Sequence, residues 1–256
     1  MMTTTPLTLS IQIYSLRKLG DVDRQLDVVA DAGFRHVELI NSHLEDAAAT
    51  RTKLDARGLK ASSSHVSLAA LRERLDGVAA ACNTIGFTNL FIPSVPKEER
   101  ASDSPYWEAL GRELAGYAQR LADHGIALGY HNHNWDVEPK QDGRTPLELL
   151  FGAADSPLRW QVDVAWLVRG GVDPLAWLQR YAGRVTSAHA KDIAPAGQKL
   201  DEDGWADVGT GTLDWPKLAA AAKAAGARWL VAEHDNPNDG ERFARNAWAY
   251  LNNLKA

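Results

Sequence analysis

With 256 residues, 45% hydrophobic and 24% charged, the chain has room for one large buried core and an ordinary globular composition, which excludes a disordered, collagen-like or fibrous chain. A formal net charge of -5 and a pI near 5.9 give no basic footprint for duplex nucleic acid, so none is expected as a partner. The lone Cys82 excludes an internal disulfide, no apolar run approaches the roughly 20 residues that span a bilayer, and residues 1–6 lack a basic region leading into an apolar stretch; no membrane partner and a cytoplasmic location are expected.

In chain order, β-rich runs at 7–14, 36–40, 60–64, 89–92, 127–131, 159–163, 185–190 and 228–233 alternate with amphipathic stretches at 22–32, 45–57, 68–85, 106–124, 146–153, 174–181, 215–225 and 241–254. Such alternation argues for parallel strands joined by helical crossovers. Five helical patterns end in a glycine, Gly33, Gly58, Gly86, Gly125 and Gly226, just before the next strand. Glycine supplies the left-handed residue that stops a helix. Asp173-Pro174 and Asp214-Trp215-Pro216 read as helix starts, and Cys82 as core filler within 68–85. Eight strand-helix units over about 250 residues fit an α/β fold of one closed (β/α)8 TIM barrel, 1–256 as a single domain, better than an open doubly wound sheet. No linker interrupts it. The polar, glycine-containing stretch 193–212 reads as a βα loop or lid.

In a barrel of this kind the chemistry sits at the C-terminal strand ends. Those ends carry Glu38, His65, His131 with His133, Asp163, His189 with Lys191, and Glu233. Alternation places His131 and His133 on one face of their strand, and His189 and Lys191 on one face of theirs, with Asn132 and Ala190 turned elsewhere. One such residue alone is ordinarily a loop anchor. Several converging carboxylates repel one another and lose hydration, and a divalent cation holds them charged together. Mainly oxygen donors with an imidazole suit Mn2+, Mg2+ or Co2+, with Zn2+ also accommodated.

Four strings then resemble one family. The segment Arg184-Val-Thr-Ser-Ala-His-Ala-Lys-Asp192 is similar to a signature strand of the xylose isomerase-like TIM barrel superfamily. That group includes sugar phosphate isomerases/epimerases, inosose dehydratases, ketose 3-epimerases and endonuclease IV. Gly33-Phe-Arg-His-Val-Glu38, Val208-Gly-Thr-Gly-Thr-Leu-Asp-Trp215 and Trp229-Leu-Val-Ala-Glu233 resemble further family strings in the same order. The resemblance implies one divalent metal, Mn2+ first, held by Asp163, His189, Glu233 and a fourth ligand. Relatives often carry Glu-Asn-His where this chain has His131-Asn132-His133, inside the "YHNH" form Tyr130-His-Asn-His-Asn-Trp-Asp-Val-Glu138. The fourth ligand is therefore expected to be Glu138, seven positions after His131, with His131 itself as the competing assignment.

The run Gly209-Thr-Gly-Thr-Leu-Asp214 lacks the last glycine of a dinucleotide loop and does not follow a strand, so it reads as the turn that launches a helix. Trp135, Trp166 and Trp205 lie in or near the top loops and offer stacking surface, whereas Trp177, Trp215 and Trp248 lie in helices and read as packing. The resemblance implies an enediolate formed by removing the proton next to a metal-bound carbonyl of a keto-sugar or polyol. Glu233, His131 and Glu138 are then the catalytic candidates, and Glu38, His65, His133, Lys191, Trp135 and Trp166 the substrate contacts. The leading expectation is a sugar isomerase/epimerase. A lyase or dehydratase acting on a 3-keto-glycoside or inosose is the alternative, which the histidine at position 131 favours over a two-glutamate epimerase. Endonuclease IV-like DNA repair and a non-catalytic sugar-binding subunit rank below both. A small-molecule sugar is the expected partner, with a homo-oligomer left open.

Overall fold

All eight β-rich runs become strands of one closed parallel barrel in a computed structural model that describes residues 6–152 and 156–254. The last residue of the expected helix 146–153 lies outside the described residues. The strands are β1 (Thr8–Gln12), β2 (His36–Leu39), β3 (Lys60–His65), β4 (Asn89–Ile92), β5 (Ala127–His131), β6 (Arg159–Asp163) and β7 (Val185–Ala190). A short antiparallel hairpin, β8 (Asp192–Ile193) with β9 (Trp205–Ala206), intervenes before β10 (Trp229–Ala232). Around the barrel the order is β1-β10-β7-β6-β5-β4-β3-β2, so the last barrel strand closes against the first. No helix among the described residues is long and apolar enough to cross a membrane.

The outer layer comprises α1 (Val22–Ala32), α2 (Ala47–Asp55), α3 (Leu68–Ile85), α4 (Ser104–Ala122), α5 (Pro146–Phe151), α6 (Val164–Arg169), α7 (Pro174–Arg180), α8 (Trp215–Ala225) and α9 (Gly240–Leu251). Their apolar faces and the outward strand residues, among them Phe34, Trp107, Leu147, Trp160 and Cys82, form the core between barrel and helices. All five stop glycines have positive φ. At Gly226 the reason is also steric, because a Cβ would lie 2.8 Å from the Val185 carbonyl oxygen. Asp173 and Asp214 cap α7 and α8 as expected.

Two local readings change. The strand expected over 7–14 ends at Gln12, whose side chain caps a 3-10 turn over Ile13–Leu19. Helix α6 was not foreseen. The stretch after the strand at 159–163 reads in the sequence as a top loop carrying Trp166, but Asp163 accepts the Trp166 N–H at 2.9 Å and turns the chain into a helix directly at the strand end.

The glycine-rich 209–214 turn has an explanation inside the protein. The Asp192 carboxylate accepts N–H groups from Ile193, Gly209, Gly211 and Leu213 at 2.9–3.2 Å. A cradle of amides that elsewhere receives a phosphate is here filled by a side chain from the end of the seventh barrel strand. A Cβ at Gly211 would sit 2.2 Å from that carboxylate, so glycine is required for the approach. Across the same loop, Arg242 of α9 bonds to Glu202 and Asp207 at 2.6–3.2 Å.

Candidate active site

Inside the barrel, polar side chains from β1, β2, β3, β6 and β7 bond to one another instead of forming an apolar plug. Glu38, fully buried, accepts from Gln12 Nε2 at 2.8 Å, Ser63 Oγ at 2.6 Å and Gln161 Nε2 at 2.6 Å, and meets His189 Nε2 at 2.6 Å. The β2–β3 and β6–β7 registers shift beside Glu38 and beside Gln161, which re-aims both side chains toward the axis. Burial opposes the Glu38 charge, but the His65 and His189 rings and the hydrogen bonds from His189 and Ser63 hold its carboxyl at about 2. Glu38, expected as a substrate contact, is instead sealed beneath the site and fixes His189 from below.

His189 turns its other nitrogen, Nδ1, to Glu233 Oε2 at 2.8 Å. Burial pulls the ring's affinity for a proton down, and the Glu233 and Glu38 carboxylates more than offset it, lifting it to about 10. Lys191 is fully buried as well. Its Nζ lies 2.9 Å from Asp163 Oδ2, 2.8 Å from Glu233 Oε2 and 2.9 Å from Asp235 Oδ2. Burial works against the ammonium, and the three carboxylates keep it well above its ordinary range. The expectation that Lys191 contacts substrate is corrected accordingly, because a cation this enclosed serves the carboxylates around it.

One donor atom each from His131, Asp163, His189 and Glu233 lies within 4.8 Å of the others, the dimensions of a single-cation site. His65, His131 and His189 form a second, overlapping group, but His65 Nε2 is engaged by Gln161 Oε1 at 2.8 Å. The donor chemistry of the first group fits a divalent ion. His131 Nδ1 is buried with no hydrogen-bond partner, and Asp163 Oδ2 makes no hydrogen bond, having only the Lys191 ammonium nearby. His189 would exchange one of its carboxylate contacts for the ion. Glu138 is not brought to this group. It is exposed at the end of the 3-10 turn Asn134–Val137 and meets only Asn134 Nδ2, at 3.4 Å. The cause is Asp136, which accepts the His133 N–H at 2.7 Å and the Tyr130 hydroxyl at 3.0 Å, tightening the turn and sending residue 138 outward. His131 occupies the place foreseen for it.

Burial, reinforced by the positive His189 nearby, holds His131 well below the usual imidazole range; burial and Lys191 do the same for His133. Both rings are neutral. Burial raises Glu233, and Lys191 and His189 outweigh it, so the carboxylate stays ionised. Asn132 faces away, as alternation predicted, binding Trp160 Nε1 and the Asp163 main chain.

Above this floor opens a cavity of about 980 Å³ whose lining includes His65, His131, His133, Trp135, Trp166, Trp205 and Glu233. His133 stacks on Trp135 with ring centroids 4.3 Å apart, and Trp166 meets Trp205 edge-on at 4.7 Å. Several residues of the lining were missed, charged and phenolic ones among them. Asp235, Tyr14, Arg17 and Arg169 all face the cavity. Asp235 had a usable signal, standing two positions after Glu233 on the same alternating face.

Asp136 yields a pH prediction. Burial drives its carboxyl up to about 7, against the hydrogen bonds from His133 and Tyr130. Between about pH 4 and 7 the folded chain therefore holds a proton that the unfolded chain has released, and this group's contribution to stability falls as pH rises. The span corresponds to about 4 kcal/mol. Urea unfolding across this range is expected to show a shallower decline in Asp136→Asn than in the unsubstituted protein; parallel curves would clear Asp136 of the effect.

A family model described as "Xylose isomerase-like TIM barrel" matches residues 26–254. The chain belongs to the xylose isomerase-like TIM barrel family. Among curated relatives, the rhizopine catabolism protein MocC of Rhizobium meliloti is 26% identical over 146 residues, covering 52% of this chain and 44% of that protein. An inosose dehydratase of Clostridium botulinum is 24% identical over 202 residues, covering 70% and 66%. The matches thus span about half to two thirds of those relatives' length. Among solved structures, a sugar phosphate isomerase/epimerase from Parabacteroides distasonis superposes with a TM-score of 0.77 at 20% identity, covering 98% of this chain and 95% of that one. The IolI protein, solved with a zinc atom, gives 0.76 at 13% identity with 97% and 98% covered. These structural likenesses confirm the barrel.

Proposed function

We propose that this member of the xylose isomerase-like family is a divalent-metal-dependent enzyme that removes the proton α to the carbonyl of a keto-sugar or keto-polyol and completes a β-elimination, as a dehydratase or lyase. The carrying observation is the unlike pair at the cavity floor, an ionised Glu233 beside neutral histidines instead of two facing glutamates. Inosose dehydratases among the relatives support the reading. His131, Asp163, His189 and Glu233 would hold the ion, and the mixed nitrogen and oxygen donors suit Mn2+, Co2+ or Zn2+. When bound, it would polarise the carbonyl and lower the cost of the enediolate by several kcal/mol.

Glu233 takes the α proton as a carboxylate kept charged by Lys191 and His189. With His131 assigned to the ion, neutral His133 on the cavity wall is the proton carrier. It receives the proton from Glu233 and delivers it to the departing oxygen on the β carbon as that carbon–oxygen bond breaks, the carbonyl re-forms and the electrons of the enediolate double bond shift to join the α and β carbons. The proton balance closes without an outside acid. Trp166 lines the cavity as an apolar surface for the carbon-bound hydrogens of the substrate, while the Trp135 ring is taken by His133 and Arg100 and braces the wall. The same abstraction followed by return of the proton to another face or carbon gives the second reading, a sugar isomerase/epimerase. Its support is the presence of two proton-accepting groups, Glu233 and His133, from different strands.

Incubating metal-loaded protein with keto-inositols, keto-sugars and 3-keto-glycosides in deuterated water, followed by NMR, tests this. Loss of the α-proton signal with an unsaturated product is expected. Deuterium in an epimer or isomer selects the second reading, and no exchange on any substrate overturns both.

A further inference from the structure

The cavity is larger than the reacting end of a polyol requires. Its volume of about 980 Å³ lies at the top of the range for small-molecule sites. Besides His133 and Glu233 its lining includes Tyr14 and Arg17, after β1, and Arg169 at the end of α6. Both guanidiniums lie over aromatic rings, Arg17 Cζ 3.9 Å over Tyr14 and Arg169 Cζ 3.1 Å over Trp205. Their hydrogen bonds run to main-chain carbonyls. Arg17 binds those of Tyr14 and Asp235 at 2.8 and 2.5 Å, and Arg169 that of Asp203 at 2.7 Å.

Outside the cavity, Arg57, Arg144 and Arg242 each hold two carboxylates, whereas Arg100 and Arg184 rest on aromatic rings and bond to main-chain carbonyls; what sets Arg17 and Arg169 apart is that they line the cavity. Among the described residues, neither Arg17 nor Arg169 forms an ion pair within 4.0 Å, and the carboxylates of Asp235, Asp163 and Asp203 act on Arg169 only from farther off. None of the three acids that line the cavity, Asp203, Glu233 and Asp235, forms an ion pair with either arginine; Glu233 is held by His189 and Lys191. Asp235 gives its carboxylate to Lys191, and Asp203 bonds to Arg169 through its carbonyl only. Ring and carbonyl contacts thus hold two planar forks in place with donors to spare, the arrangement that recognises a carboxylate or a phosphate.

We propose that Arg17 and Arg169 receive an anionic group of the substrate, a carboxylate or phosphate at the end remote from the reacting carbonyl. This rests on the reading of the cavity as the place where a keto-sugar or keto-polyol reacts. The test measures binding without turnover. Dissociation constants of metal-loaded protein for glucose, glucuronate and glucose 6-phosphate are determined by calorimetry, in the unsubstituted chain and in Arg17→Gln, Arg169→Gln and the corresponding lysine variants. An anionic probe is expected to bind at least about tenfold more tightly than glucose, each charge-assisted contact supplying about that factor. The preference is expected to weaken with salt, to shrink in the lysine variants and to vanish in the glutamine variants. Tighter binding of glucuronate assigns a carboxylate, and tighter binding of glucose 6-phosphate a phosphate. Equal binding of glucose and the anions, no binding of either anion, or a preference that survives both glutamine substitutions and so belongs to the metal would overturn the proposal. α-Proton exchange is read separately, so either idea can fail without the other.

Discussion

Replacing Lys191 by methionine is expected to destabilise the metal-free protein by about 3–5 kcal/mol, the cost of stranding buried charge when one partner is removed. Asp163, Glu233 and Asp235 all face its ammonium within 3 Å, and no second cation touches all three. A divalent ion would restore part of the loss. Folded-state binding stabilises by RT ln(1 + [L]/Kd), about 2.7 kcal/mol at a hundredfold excess over Kd. Lys191→Met is therefore expected to gain more from added Mn2+ or Zn2+ in thermal unfolding than the unsubstituted protein gains. Equal gains in both would show that the ammonium neither screens nor opposes the ion. The expectation follows from geometry alone, because an enclosed positive charge and a bound cation draw on the same oxygens.

Glu233→Gln is expected to lower α-proton exchange by about 10²–10⁴-fold, the range for removal of a positioned acid or base. Glutamine retains the shape and an oxygen for Lys191, but it cannot take the proton. Metal content separates the roles of this residue. Slow exchange at full metal occupancy marks the base, whereas slow exchange with lost metal marks the ligand. Exchange within a few-fold of normal in a fully loaded variant would contradict the assignment of Glu233.

The barrel was readable because its signals are local. Alternation, helical periodicity and a glycine stop each involve a few neighbouring residues, and they placed all eight barrel strands. Most of the polar floor was visible by the same logic, since a period of two decides which strand residues face the axis. What alternation cannot report is what already occupies that face. Glu38 and Lys191 were therefore read as substrate contacts although neighbouring strands enclose them. Glu138 was placed at the ion because its separation from His131 is short, yet the path between them is set by Asp136, caught by the hydroxyl of Tyr130 on β5. Arg17 and Arg169 carried no signal at all. Arg17 reaches the cavity through the carbonyl of Asp235, 218 positions away, and Arg169 sits on a short helix in a stretch read as loop.

The filling of the 209–214 amides by Asp192 bears on how a substrate arrives. A carboxylate planted at the end of the strand that carries His189 and Lys191 pins the loop from beneath, and Arg242 fastens it to α9 from outside. Trp205 and Asp203 belong to that pinned segment, so this wall of the cavity cannot swing aside without dismantling the seventh strand's end. Tyr14, Ile40, Ser67 and Pro93, which line the rest of the cavity, come from outside that pinned segment, so any widening of the mouth falls to their loops.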